Sequence, residues 1–169
     1  MQIRVATLAD VHGIAELHVA TWRSGYRGQM PDSFLDAMRV ERRAEFWRKE
    51  LAKDNHGVMV AEESSSLPGF GSLIPSRDSD SDSTAVGEIA ALYVSSSRWR
   101  QGIGRALIAT LLESAFASNY STVTLWVLAT NAASIQFYEA VGFRRDGVTK
   151  SETLSGGFVL HEIRMRRRM

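Results

Sequence analysis

The stretch RQGIGRAL, residues 100–107, gathers the features of an anion site. Gly102 and Gly104 stand one residue apart, with Arg100 and Arg105 on either side. An apolar helical pattern starts directly after them, through Ile103, Leu107, Ile108, Leu111, Leu112 and Phe116. A helix start carries unpaired N–H groups and the positive end of the dipole. Residues without a side chain let a phosphate come close to that backbone, and the arginines add charge at the same point. An apolar strand, residues 89–94 (IAALYV), runs into this turn. The chemistry that suits a strand, a bare loop and a helix start is a pyrophosphate cradle. A plain turn ahead of a helix is the other reading. Two phosphate-binding patterns are excluded: GxxxxGK[ST] is absent, and Leu107 stands where a GxGxxG fingerprint needs its third glycine.

Composition removes other chemistries. The 169 residues include no cysteine, so disulfides, thiolate catalysis and cysteine metal sites drop out. His12, His18, His56 and His161 are scattered without the spacing of a metal site, and no metal is expected. A formal net charge of +1 offers no global attraction to nucleic acid or membrane, and neither is expected as a partner. No apolar run approaches the length of a membrane span, and the opening MQIRVATLAD lacks the apolar core of a signal peptide. A cytoplasmic location is the default expectation.

The elements that must position the cradle follow from periodicity. With 44% hydrophobic and 23% charged residues, the chain has an ordinary globular composition, and a single domain over residues 1–169 is expected. Residues 2–6 read as a strand. Thr7 or Asp10 then caps a helix carrying Val11, Ile14, Ala15 and His18 on one stripe, running to about Ser24. Gly25, Gly28 and Pro31 break it. A short helix over residues 32–38 and a longer charged one over 40–53 lead to a turn at 53–57. Strands at 57–62 and 69–75 follow, joined by ESSSLP. SRDSDSDSTA, residues 76–85, is poor in apolar residues and reads as a solvated connector without structure. After the strand at 87–94 and the helix at 103–116, STVTLWVL is a nearly continuous apolar strand. NAASIQFYEAV is a helix ended by Gly142, and two strands close the chain. The order, β, helices, β-β-β, α, β, α, β-β, is that of an α/β fold of the α+β kind, with a central mixed sheet flanked by helices.

The second motif is NAASIQFYEAVGF, residues 131–143. With WRQGIG at 99–104 and EIAALYV before it, the chain resembles the GNAT superfamily, the GCN5-related N-acetyltransferases. Their pattern is [QR]xxGx[GA], followed by an NxxAxxFYxxxGF-like segment, here Asn131, Ser134, Phe137, Tyr138, Gly142 and Phe143. The resemblance is strong from Gly87 to Phe143. Trp99 stands where the family pattern opens with Gln or Arg, and Arg100 is its neighbour.

The resemblance implies a mostly antiparallel central sheet and acetyl-CoA as co-substrate. The pyrophosphate would lie on the backbone of Gln101, Gly102, Ile103, Gly104, Arg105 and Ala106, beside Arg100. The pantetheine arm would pair with the fourth strand at Leu92, Tyr93 and Val94, where it parts from the fifth, as an added strand does. An N–H near Val94 would polarise the acetyl carbonyl. Tyr138 corresponds to the family's general acid, and Asn131 holds the pantetheine arm or caps its helix. An attacking amine must be neutral, so a base is required. Glu88 is the candidate, at the start of the fourth strand and, by the period of two, on one face with Ala90 and Leu92. A solvated strand-end charge is its other reading.

The acceptor wall implied by the family is the first two helices and their loop. Trp22, Tyr26, Arg27 and Phe34 are the residues available there, with Arg27 suited to an acceptor carboxylate; simple packing of the aromatics is the alternative. His18 reads as a core histidine. The tail RMRRRM reads as the frayed, solvated end of the last strand. The function expected is direct acetyl transfer from acetyl-CoA to a primary amine, with a small molecule as acceptor. A protein N-terminal or lysine acetyltransferase and a non-catalytic acyl-CoA-binding module are the rivals. An open edge strand in such a sheet would pair with a second copy as a homodimer.

Overall fold

The order read from periodicity is the order observed. In the computed structural model, described over residues 1–54, 57–64, 66–154 and 157–169, β1 (Gln2–Val5) leads into α1 (Val11–Gly25), α2 (Asp32–Ala37) and α3 (Val40–Leu51). Then come β2 (Val58–Glu63), β3 (Ser66–Pro75) and β4 (Val86–Val94), followed by α4 (Ile103–Ala117), β5 (Thr122–Leu128), α5 (Ala132–Ala140), β6 (Arg144–Thr153) and β7 (Val159–Arg168). Asn55 and His56, in the turn expected at 53–57, lie outside the described residues.

The strands form one seven-stranded sheet in the order β1-β2-β3-β4-β5-β7-β6. Every neighbouring pair is antiparallel except β4–β5, which the α4 crossover makes parallel. One face is covered by α1 and α3, whose Val11, Ile14, Ala15, Trp47 and Leu51 pack on Val58, Val60 and Phe70. The other is covered by α4, with Ile108, Leu111 and Leu112 on Ile89, Val123, Leu125 and Met165. Burial of side chains such as Leu111 and Ile14 contributes about 1.5–3 kcal/mol each.

Three expectations need correction. The register between β3 and β4 steps from Ser72↔Ala91 to Leu73↔Ile89, so Ala90 is an extra residue in a bulge. The period of two breaks there. Ile89 and Leu92 both face α4, while Ala91 and Tyr93 face α1 and α3. Glu88, next to Ile89, therefore shares the Tyr93 face and not that of Leu92.

Residues 76–85 are not a loose connector. Arg164, only 3% exposed on β7, receives Asp78, Asp80 and Asp146 around its guanidinium, with Nη1 donating to Asp80 Oδ1 at 2.7 Å and Nε to Asp146 Oδ2 at 2.7 Å. Trp126 Nε1–H donates to Asp78 Oδ1 at 3.0 Å. A buried guanidinium needs carboxylates, and the Ser/Asp segment supplies two of them.

The basic tail is also ordered. β7 pairs with β5 from Leu128↔Glu162 to Thr122↔Arg168, and Arg167 Nη1 donates to the Val141 carbonyl at 2.6 Å. Its arginines finish a central strand instead of fraying.

Candidate active site

The cradle is built where β4 ends. Ser95 donates its N–H to the Pro68 carbonyl at 2.9 Å, so by alternation Tyr93 and Ala91 also bond toward β3. The N–H and C=O groups of Leu92 and Val94 then point to the opposite edge. On that edge β5 pairs with β4 only at Val86↔Thr122, Gly87↔Val123 and Glu88↔Thr124. Beyond Glu88 the strands part, and backbone groups of Leu92 and Val94 face the gap. Trp99 takes part here: its indole N–H donates to the Val94 carbonyl at 2.8 Å.

The two glycines do different work. Gly102 has φ +84° and caps α4, and a Cβ there would meet nothing within 4 Å. It supplies the left-handed turn that aims the chain into the helix. Gly104 has ordinary helical backbone, but a Cβ there would press on Phe137 Cζ at 3.3 Å. Its bareness lets α5 approach α4. The first α4 bond is Ala106 N–H to Gly102 C=O, so the N–H groups of Ile103, Gly104 and Arg105 have no intrahelical acceptor. Arg100 and Arg105 are exposed and form no ion pair among the described residues. Gln101 joins through its backbone, because its side chain accepts from Arg98 Nε at 2.8 Å.

α5 brings the second motif to the same place. Asn131 Oδ1 accepts the Ser134 N–H at 3.1 Å as an N-cap. Phe137 packs on Gly104, and Tyr138 sits edge-on to Phe137 and Phe143 at 5.3 and 6.0 Å. Burial pushes the Tyr138 phenol well above its ordinary pKa, so it stays a hydrogen donor.

The residues expected on the acceptor side form an aromatic wall. Trp22 meets Tyr26 at 5.2 Å, Phe34 at 6.4 Å and Tyr93 at 6.5 Å between ring centroids. Burial raises the pKa of Tyr26, and Tyr93 and Tyr138 lie close enough to raise it further. Arg27 is not part of this wall. It is exposed and tied to Asp32 and Asp36, both at 3.0 Å. Glu88 is 2% exposed, and both its oxygens are held by Arg77, with the Arg77 N–H adding a third donor at 3.1 Å.

Residues beyond those singled out in the sequence line the same space. Glu162, paired with Lys150 at 3.3 Å, acts electrostatically on Tyr26, Tyr93 and Arg77. Arg43 stands over the Trp22 ring, 5.6 Å from its centroid. The sequence did carry a sign of Arg43: it interrupts the apolar stripe Val40, Ala44, Trp47 and Leu51 of α3. Glu162 has no local sign, because its place follows from the β7–β5 register.

A strand that parts from its parallel neighbour beside an open helix start, with a half-buried tyrosine on the helix that packs there, defines an acyl-CoA transferase architecture, and the comparisons agree. The chain belongs to the Acetyltransferase (GNAT) family, whose model matches residues 13–143. It is an N-acetyltransferase. The uncharacterized N-acetyltransferase YuaI of Bacillus subtilis (strain 168) is 35% identical over 139 residues, 82% of this chain and 77% of its own length. The ribosomal-protein-alanine N-acetyltransferase of Brucella melitensis superposes with a TM-score of 0.74 over 100% of both chains, at 25% identity. The PaiA N-acetyltransferase of Thermoplasma acidophilum, solved in complex with coenzyme A, superposes with a TM-score of 0.77 at 19% identity, over 99% of this chain and 98% of its own.

Proposed function

We propose that this enzyme transfers an acetyl group from acetyl-CoA directly to the primary amine of a small molecule. The observation that carries the reading is the parting of β4 from β5 after Glu88, next to the open start of α4 and to Tyr138. The residues fit the cofactor. Gly102 leaves open space at a helix N-terminus, and unpaired Arg100 and Arg105 supply charge for a pyrophosphate. The outward backbone groups of Leu92 and Val94 offer an edge to an amide-bearing arm. When bound, acetyl-CoA supplies an activated thioester.

The chain's own groups do the rest. The Val94 N–H faces the gap, where it can donate to a carbonyl oxygen that gains charge. Tyr138 keeps its proton and donates it, or a hydrogen bond, to a departing sulfur. The amine's proton goes to Glu88, directly or through water, after Arg77 shifts off its carboxylate. A wall of rings offers a compact acceptor an apolar face to pack on. The likeness to a ribosomal-protein-alanine N-acetyltransferase keeps a protein N-terminus as the second reading.

Titration calorimetry with acetyl-CoA tests the cofactor site. Micromolar binding is expected, weakened about tenfold or more by Gly102→Asp. Aspartate is among the few side chains that visit the left-handed turn, it places a negative charge at the cradle, and a thermal melt run beside the titration separates loss of binding from loss of fold. Thiol release on amines and on peptides follows, free of background because the chain has no cysteine. Absence of acetyl-CoA binding overturns the proposal, and turnover of peptides alone favours the second reading.

A further inference from the structure

We infer that the acceptor carries a carboxylate beside its amine, as an amino acid does, and that Arg43 holds this carboxylate together with the indole N–H of Trp22 and the Nε2–H of His18. The inference rests on the reading of the site as an amine acetyltransferase and deepens it to a substrate class.

Arg100 and Arg105 at the cradle aside, Arg43 differs from the other guanidiniums near the site. Arg27 is tied to two aspartates, Arg77 to Glu88, Arg98 to Glu63 and Arg164 to three aspartates. Among the described residues no carboxylate pairs with Arg43, although it is half-buried over Trp22. A guanidinium drawn out of water without a partner is uncompensated, and its planar fork matches a carboxylate.

Two buried donors lie beside it. Trp22 Nε1 is buried without a hydrogen bond of full geometry, and the Tyr93 hydroxyl beside it offers a weak one. His18 is 5% exposed and lies 5.5 Å from Trp22 and 4.9 Å from Tyr93 between ring centroids. Its Nδ1 accepts the Trp47 indole N–H at 3.1 Å. Burial, helped by the positive charge of Arg43, holds the imidazole neutral, its pKa pushed down to about 3. A neutral imidazole that accepts at Nδ1 carries its proton at Nε2, and that Nε2 is buried and unpartnered. One orphaned N–H, one weakly bonded N–H and one guanidinium without a carboxylate thus cluster around the Trp22 ring, where the Tyr93 hydroxyl is the acceptor beside them. Native proteins rarely leave such donors unmade. A carboxylate has acceptor capacity for all three.

The opposite charge sits on the same wall. Tyr93 feels both Arg43, which lowers its pKa, and Glu162, which raises it, beneath the dominant upward push of burial. The pocket is positive at Arg43 and negative toward Glu162, which complements a molecule bearing a carboxylate and an ammonium.

The experiment compares amino acids with their carboxamides and decarboxylated amines, as acceptors by thiol release and as ligands by NMR of the Trp22 indole and His18 imidazole. The N-acetylated amino acids are titrated as well, so binding is read without turnover. Carboxylate compounds are expected to exceed their carboxamides about tenfold or more in kcat/KM or affinity, and to shift both ring resonances. Arg43→Met and Arg43→Gln should erase the preference while leaving acetyl-CoA affinity unchanged, which also reports that the variants are folded. Equal use of acids and amides overturns the inference. So does a preference that survives both variants, or the absence of any carboxylate-dependent shift, which would assign the orphaned donors to buried water. Loss of acetyl-CoA binding in the unaltered enzyme would instead overturn the broader reading.

Discussion

The two sides of the site are made of different material. The cofactor side is mostly backbone: the outward edge of β4, the bare start of α4 and the cap at Asn131. The acceptor side is made of side chains brought from α1, α3, β4, β7 and the segment at 76–85. Backbone groups are the same in every residue, so the first side needs only glycines and turns at fixed spacing. The second depends on which side chains the fold places together, and under the proposed function it is the side that would set what is acetylated.

The largest expected effect tests where the two sides meet. Tyr138→Phe should lower kcat by roughly 10²-fold or more while acetyl-CoA affinity holds. An unchanged kcat in single-turnover measurements would remove Tyr138 from the chemistry and revive the non-catalytic reading.

Arg164→Met separates the sides by stability. It strands Asp78 and Asp146 against the sheet, at a cost of about 3 kcal/mol, discounted for the exposure of Asp80. Chemical denaturation should show this loss, and KM for the amine should rise more than KM for acetyl-CoA. An equal rise in both would mean that the 76–85 segment does not belong to the acceptor side alone.

The acceptor side should also respond to pH. His18 is neutral in the fold with a pKa of about 3, against 6.5 when unfolded. Between these values the unfolded chain binds the extra proton, so stability falls as pH drops below about 6.5, by up to about 1.4 kcal/mol per unit. Asp10, lowered to about 2 by its bonds to Arg4, acts with the same sign only below its ordinary pKa of 3.8. Glu62 and Glu63, held below their ordinary 4.5 by Arg4 and Arg98, join with the same sign from about pH 5.5 downward. Denaturation between about pH 6.5 and 5.5 therefore reads His18, and His18→Gln should flatten the profile there. A slope that persists in that variant would assign the effect elsewhere.

On the cofactor side the smaller test is Gly104→Ala. Its methyl would press on Phe137 and should destabilise by about 1 kcal/mol. Since Phe137 adjoins Tyr138, kcat should suffer more than acetyl-CoA binding, as calorimetry beside steady-state kinetics would show. The least effect is expected of Arg27→Ala, which removes an exposed residue tied only to Asp32 and Asp36. Its melting temperature and amine KM should stay close to those of the unaltered enzyme, in contrast to Arg43.

How legible each part was in the sequence follows from distance along the chain. The cradle motif, the helix start at Ile103, the cap at Asn131 and the order of elements are local patterns, and each was read before the fold. The aromatic wall of Trp22, Tyr26 and Phe34 was also local, spanning the end of α1, the corner after it and α2. Arg27 and Glu88 were found as residues but misread as free, because their partners were not visible: Asp32 and Asp36 join Arg27 through a tight corner, and Arg77 folds back on Glu88 across a hairpin.

What the sequence determined by itself is the set of elements, their order and the backbone side of the site, because periodicity, capping and glycine placement act over a few residues. Tertiary structure decided the rest. The bulge at Ala90 turned Glu88 and Tyr93 to the same face. The β7–β5 register carried Glu162 and Arg164 inward, the latter to aspartates more than 80 residues away. The packing of α3 on α1 left Arg43 over Trp22 without a counter-ion among the described residues. Charge pairing and desolvation depend on distances in space, and a one-residue shift in a strand reverses which side chains are compared at all.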